Sequence, residues 1–406
     1  MAAATNAPSD PLFSAEYFER PEDVIARLRR EDPVHFIAPI DAWIVTRYDD
    51  VRRLFTDPNV TNDRRAYARY APAPEGSYLR WIAENGLFSA PVDEHARMRR
   101  QVAAGFTPGA IQRMEKQIRE VVEQFAAPLR GRRGVVDLRN EFVDPIPNTV
   151  ISRITGVPAK EADEARFREL ARDVLSGISP LLDEQGRRRA ENAMLELCDW
   201  IRQLCAERKR EPREDLVSDL VRDDTEGGMS DEQIILLVAG LVAAGTETTS
   251  LGGTLALRTL FRHPEQMEEL RRDRSLLPNA VSELLRFDFG SAGLPRYALR
   301  DFELRGRRIL EGQLILLSFL GAHRDPEVFS DPDRFDLHRD VKDLTIFGHG
   351  PHYCLGANLA RSELRCLLDA ALDFLPRGAR LLEDEIDWVR LGMFSRIEKL
   401  PVDFGS

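Results

Sequence analysis

The sequence predicts an α-rich α+β fold, on three observations. Residues 48–290 are dominated by helical apolar periodicity. Short runs of β-branched and aromatic residues gather before that stretch and again after it. Near the C-terminus, a glycine-rich loop centred on Cys354 opens a last helix. Helices in one long run, with strands segregated to the two ends, mark the α+β class rather than alternating α/β.

Taken in order, residues 34–38 and 42–46 are strands joined by a turn at 39–41. Residues 61–92 hold Pro72, Pro74, Gly76 and Pro91 and are expected to form a long irregular segment. Ser230 and Gln233 make a capping box that starts a long helix running toward Arg262. Another helix begins near Asn279. Strands return over 295–318, and the apolar run 314–317, bounded by Gly312 and Ser318, reads as a buried strand. Residues 357–372 close the pattern as a helix with Ala360, Leu364, Leu367, Leu368 and Ala371 on one face.

The chain has 406 residues, of which 43% are hydrophobic, enough for a sizeable core. No repeat or low-complexity linker divides it, so a single domain over 1–406 is expected, with 1–11, rich in Ala, Pro and Ser, flexible. The net charge of −11 argues against general binding to nucleic acid or to an anionic membrane. The longest apolar run, 234–245, falls short of the about 20 residues that a bilayer demands. Cys198 and Cys205 share one helical stripe about 10 Å apart, too far to bridge, and read as core. Few cysteines and no signal peptide suit a reducing compartment, so the expected location is cytoplasmic, without a membrane anchor.

Residues 347–356 read Phe-Gly-His-Gly-Pro-His-Tyr-Cys-Leu-Gly. Glycines let the chain bend tightly and bring amides toward the Cys354 sulfur, and the helix start behind it favours the thiolate. Two plain alternatives stand beside this. Cysteine is among the most buried residue types, so Cys354 could be structural. His349, His352 and Cys354 could also ligate zinc, although a structural zinc site takes four ligands and no CxxC or HxxxH pair lies nearby.

The run Phe347-Gly348-x-Gly350-x-His352-x-Cys354-x-Gly356 resembles the haem-binding signature of cytochromes P450. The resemblance covers nearly the whole chain. It implies the cytochrome P450 fold, a helical bundle around haem b (iron protoporphyrin IX) with small β-sheets. It makes Cys354 the axial ligand of the iron, a thiolate that pushes electron density onto the metal to help break an O–O bond. Phe347 and Gly348 belong to the same cofactor-binding loop.

Other segments fit the same family. Glu283 and Arg286, at i and i+3 on an apolar helix, resemble its ExxR pair, and Arg334 in Pro332-Asp333-Arg334-Phe335 matches the arginine that completes a charged triad. In the long helix, Ala244-Gly245-Thr246-Glu247-Thr248-Thr249 resembles the oxygen-activating segment. By that resemblance Glu247 connects to a proton supply and Thr248 donates a hydrogen bond to the oxygen being activated. Glycine followed by threonines also favours a bend with room for ligand and water. His352, Arg296, His95 and Arg99 match propionate contacts by position. His323 stands where the family commonly has Asn.

The resemblance further places Leu87, Phe88, Leu241, Ala244, Leu294, Met393 and Phe394 in the substrate pocket. A mostly apolar lining implies a hydrophobic small molecule of terpenoid, steroid or polyketide class. No flavin or nicotinamide fingerprint is present, so electrons are expected from a separate ferredoxin with its NAD(P)H-dependent ferredoxin reductase. Arg97, Arg99, Arg100, Arg113, Lys116, Arg361 and Arg365 are the basic residues available to steer it. The expected activity is that of a monomeric monooxygenase consuming O2. A peroxide-driven peroxygenase is the alternative within the same chemistry, and Glu247 with Thr248 counts against it. A catalytically silent haem-binding module is the alternative outside it.

Overall fold

The structure is a computed structural model that describes residues 10–405 except 88–89, 91, 159–162, 178–182, 223–227, 290–292, 343 and 392–393. The chain forms two compact units. One comprises Met1–Tyr70, Asn279–Cys354 and Trp388–Ile397, the other Ala71–Pro278, Leu355–Asp387 and Glu398–Ser406.

The first unit is built on a five-stranded sheet in the order Val34–Ile37, Ala42–Val45, Leu314–Ser318, Gly293–Ala298, Val60–Thr61. The first pair is an antiparallel hairpin with Val34 opposite Val45. Its turn closes on Asp41 in the left-handed region at φ 50°. Ala42–Val45 pairs in parallel with Leu314–Ser318, and Gly293–Ala298 adds antiparallel on the other side. Leu314–Ser318 is buried at every position, as its unbroken apolar run predicts. Period-two geometry then splits its side chains between two cores. Ile315 and Leu317 pack with Val45, Leu54 and Phe329. Leu314 and Leu316 pack with Ile25, Ile37 and Ile44.

The second unit is helical around Asp231–Arg262, a helix of 32 residues. Its start is the predicted capping box: Gln233 N donates to Ser230 Oγ at 3.2 Å, and Ser230 N donates to Gln233 Oε1 at 3.0 Å. It packs on Pro145–Thr155, Glu164–Ser176, Glu184–Arg210 and Ala357–Phe374. This helix is long and apolar enough to cross a bilayer, which the shorter run 234–245 concealed, but most of its apolar stretch is buried inside the protein. A three-stranded sheet of Val135–Asp137, Pro401–Asp403 and Arg380–Leu381 completes the unit.

Several expectations need correction. The 61–92 segment is not irregular throughout, because Ser77 caps a helix over Tyr78–Asn85. The helix expected near Asn279 spans Leu277–Phe287, and the last helix runs Ala357–Phe374. Of the N-terminal stretch, residues 1–9 lie outside the described residues, while Pro11 already opens a helical turn capped by Asp10. The long helix is assigned without a break through Gly245. A Cβ there would stand 3.3 Å from Ile151 Cδ1, so the glycine serves close packing against Pro145–Thr155. Cys198 and Cys205 are core, and burial pushes their thiols up to about 12 and about 11.

Candidate active site

Cys354 ends a loop made of two short helical turns, Thr345–Phe347 and Gly350–His352. Its N–H donates to the Phe347 carbonyl at 2.7 Å and closes the loop on itself. Gly348 and Gly350 take φ values of 72° and 71°, the region open to glycine. A Cβ on Gly350 would also lie 2.5 Å from Thr56 Cγ2, so that side chain would have to shift to admit one. Phe347 is buried and its ring lies 6.3 Å from that of Tyr353. Cys198, Cys205 and Cys366 are buried, whereas Cys354 is exposed, so the structural-cysteine alternative fails. The zinc alternative fails too: among the described residues no group of His, Cys, Asp or Glu converges as metal ligands.

Behind this loop stands a buried polar core. Arg286 donates to both Glu283 oxygens, Nε to Oε2 at 2.6 Å and Nη2 to Oε1 at 2.8 Å, and neither side chain is exposed. Arg286 Nη1 donates to the carbonyls of His323 and Pro332 at 2.8 and 2.9 Å. The expected third arm, Arg334, is corrected to Arg339. Arg339 Nε donates to Glu283 Oε1 at 3.2 Å, while the exposed Arg334 offers only its carbonyl, 3.4 Å from Arg286 Nη2. The cause is the turn at Asp331, φ 44°, where Arg334 N donates back to the Asp331 carbonyl at 3.0 Å. That turn leaves the Arg334 carbonyl toward Arg286, and a second turn, closed by Arg339 N donating to the Asp336 carbonyl at 3.0 Å while Asp336 N donates to Glu283 Oε1 at 3.0 Å, brings Arg339 to Glu283.

His323, which sequence left without a role, ties this core to the cysteine loop. Its Nε2 accepts from Thr345 N at 3.1 Å and lies 2.9 Å from Thr345 Oγ1, at the first residue of the loop's first turn. Burial, and then the charge of Arg286, lowers the imidazole to about 3, so it is neutral as an acceptor must be.

Arg296 sits on Gly293–Ala298 in the same unit, 5% exposed. Its guanidinium lies 5.0 Å from the Phe55 ring centre and donates to the Pro295 carbonyl at 2.9 Å. Among the described residues no carboxylate acts on it, and burial lowers it to about 10. A buried cation in that state needs an anion, and a haem propionate is one. His352, half-buried in the loop, is the second cationic candidate of this unit. His95 and Arg99 share the helix Val92–Ala103 in the other unit, where burial, then Arg99, lowers His95 below its ordinary value.

In the helical unit, Glu247 accepts from Arg139 Nη2 at 3.1 Å. Thr248 Oγ1 donates to the Ala244 carbonyl at 2.7 Å, the back-bond expected of a mid-helix threonine. Thr248 is exposed although it lies between buried Thr246 and Thr249. Leu241, Ala244 and Leu251 are half-exposed and stand at helical spacing with it, so one stripe of the helix is apolar, accessible and carries one hydroxyl. Among other expected pocket residues, Leu87 and Leu294 are half-buried. Phe88 and Met393 lie outside the described residues, as does the side chain of Phe394.

Sequence reading missed Arg139, Arg339 and Glu363. The first two lacked any local spacing to betray them. Glu363 is buried in Ala357–Phe374, Oε2 finds no partner among the described residues, and burial raises its carboxyl to about 8. Only its place on the apolar side of that helix signalled it.

The cysteine loop and the buried Glu–Arg core in one unit, and the Glu247–Thr248 step of the long helix in the other, are the features the haem-thiolate resemblance called for. The cytochrome P450 family model matches residues 33–373, and the chain belongs to that family. It is 32% identical to a vitamin D(3) 25-hydroxylase of Pseudonocardia autotrophica over 99% of this chain and 98% of that one. It is 34% identical to an epothilone C/D epoxidase of Sorangium cellulosum over 86% and 85%. Among solved structures it resembles CalO2, with a TM-score of 0.87 and 32% identity over 97% of this chain and 98% of that one. The protein is accordingly a monooxygenase that uses haem b.

Proposed function

We propose that the chain acts as one catalytic domain, a cytoplasmic monomer that inserts one atom of O2 into a medium or large hydrophobic molecule. A separate ferredoxin and its NAD(P)H-dependent reductase supply the electrons. The observation that carries the substrate class is the accessible stripe Leu241, Ala244, Thr248 and Leu251, apolar apart from one hydroxyl. The relatives named for vitamin D3 hydroxylation and epothilone epoxidation support compounds of that size and polarity.

In this reading Cys354 would hold the iron through its thiolate, and Arg296, His352, His95 and Arg99 would hold the propionates. The bound haem supplies the redox centre at which O2 is activated. The chain's own residues manage the rest. Leu241 and Ala244 exclude water and orient an apolar ligand. Glu247, an ionisable group anchored by Arg139, passes protons inward. Thr248 Oγ1, which donates to the Ala244 carbonyl, would hold a hydroxyl proton on the accessible stripe of the helix. The balance is two electrons and two protons per O2, giving one oxygenated product and one water.

The test is a titration with vitamin D3, epothilone D and smaller terpenes, watching the Soret band. A shift with at least one of the larger compounds, followed by ferredoxin-dependent turnover, is the expected result. Saturating shifts with small polar ligands alone would contradict the substrate class. Turnover with hydrogen peroxide that matches the reductase-driven rate would favour the peroxygenase alternative.

A further inference from the structure

We infer that Arg139 is a positioning residue for Glu247, clamping that carboxylate from inside the helical unit and seating ordered water beside it. This rests on reading Glu247 as the proton-delivering acid.

Arg139 opens a π-helical turn, Arg139–Val143, that runs into the helix Pro145–Thr155. Such turns are rare, and the wider ring brings residues five apart together. Here Asp144 N donates to the Arg139 carbonyl at 2.8 Å. Both side chains then meet one face of the long helix, because Glu247 and Ser250 stand at i and i+3. Arg139 Nη2 donates to Glu247 Oε1 at 3.1 Å and lies 3.7 Å from Asp144 Oδ1. Ser250 Oγ donates to the same Asp144 oxygen at 2.6 Å. Glu247 is thus held by a fully buried cation that is itself anchored through Asp144 to the helix carrying Glu247.

A second arginine reaches the cluster from Glu164–Ser176, and its contacts are looser. Arg172 lies 3.6 Å from Asp144, 3.7 Å from Glu247 and 3.9 Å from Glu398, and its side chain is 28% exposed. Burial pulls its guanidinium down, but the carboxylates of Glu247, Asp144, Glu398 and Asp173 outweigh that and hold it above its ordinary value. Arg172 is the outer, exchangeable contact and Arg139 the inner, fixed one.

The way Arg139 uses its donors separates this from a plain structural ion pair. In the other unit, Arg286 grips both oxygens of Glu283 and gives its remaining Nη1 to carbonyls. Arg139 engages Glu247 through Nη2 alone, and its Nε and Nη1 are buried with no acceptor among the described residues. Charged buried donors require acceptors, and beside a carboxylate water is the group that fits. Water held there would join Glu247 to the partly exposed Arg172 and Glu398.

The experiment uses haem-replete enzyme with a surrogate plant-type ferredoxin and reductase, without substrate, so that no ligand need be known. Each O2 consumed then leaves as hydrogen peroxide or, with two further electrons and protons, as water. Impaired proton delivery raises the peroxide share. Arg139→Gln, Glu247→Gln and the double variant are compared. Expected are a several-fold higher peroxide-to-water ratio in each single variant, a double variant no worse than Glu247→Gln alone, and partial recovery in Arg139→Lys. A crystal structure of the holoenzyme should show water within hydrogen-bond distance of Arg139 Nε or Nη1. Wild-type partitioning in Arg139→Gln beside a defective Glu247→Gln overturns the clamp alone, as does additivity in the double variant. Wild-type partitioning in Glu247→Gln removes the reading of Glu247 and the clamp with it. If Arg139→Gln does not fold, Ser250→Ala, which loosens Asp144, must shift the ratio the same way, and an unchanged ratio there counts against the inference.

Discussion

Arg286 illustrates how much one buried residue carries. Its guanidinium joins Glu283 to the carbonyls of His323 and Pro332 and lies 5.4 Å from the Phe329 ring centre. Arg286→Ala leaves Glu283 buried with Arg339 as its remaining cation, and breaking a buried pair costs about 3–5 kcal/mol. The expected outcome is protein recovered without haem, checked by the ratio of Soret to protein absorbance. Two titrating groups add opposite pH slopes. His323, lowered to about 3, adds stability that is full above the ordinary imidazole value near 6.5 and is lost as pH falls toward 3. Glu363, raised to about 8, adds stability that is full below the ordinary carboxyl value of 4.5 and is lost as pH rises toward 8. Glu363→Gln should therefore gain on the wild type in urea unfolding between pH 5 and about pH 8, by up to a few kcal/mol. His323→Asn should flatten the acid limb instead. The residue scale is also where sequence told least. Glu283 and Arg286 were legible because both sit within one helical turn. Arg339 and Arg139 were not, because their partners come from distant segments and only folding shows which arginine arrives.

At the scale of elements, local chemistry was easier to read. The capping box at Ser230, the all-apolar strand Leu314–Ser318 and the helix behind Cys354 each follow from nearby residues. Tyr78–Asn85 was hidden because the prolines around it drew attention from its own Ser77 cap. Gly245 carries a second reason that sequence did not show: a glycine weakens a helix by propensity, and here its missing Cβ also admits Ile151. Two substitutions test these elements. Leu316→Ala in the central strand should cost about 2–5 kcal/mol, read by chemical denaturation. Gly350→Ala combines a left-handed φ with a clash against Thr56 and should lower haem retention far more than overall stability. Equal haem content in that variant would remove the loop's tight geometry from the account.

For the whole molecule, charge is the property that bears on function. The chain carries −11 overall, yet the residues expected to meet a ferredoxin are basic. The structure tempers that expectation, because Arg97 is engaged by Glu94 at 2.6 Å and Arg365 by Glu115 at 2.6 Å. Arg100 and Arg113 are less committed. If they steer an acidic ferredoxin, its second-order reduction rate should fall steeply as ionic strength rises beyond about 0.1 M, and Arg113→Glu should slow it further. A rate indifferent to salt would leave docking to apolar contacts. The membership of the family was legible from the cysteine loop, the ExxR pair and the acid–alcohol pair together. The substrate was not, since the residues expected to line its pocket, such as Leu87, Leu241, Ala244 and Leu294, are generic apolar side chains that select for hydrophobicity and not for one molecule. All of it depends on a bond between Cys354 sulfur and haem iron. The carbon monoxide difference spectrum of the reduced protein tests that bond most directly. A Soret band displaced far to the red, and lost in Cys354→Ser, is the expected result; a band at the position of imidazole-ligated haem, or one unchanged by Cys354→Ser, would contradict it.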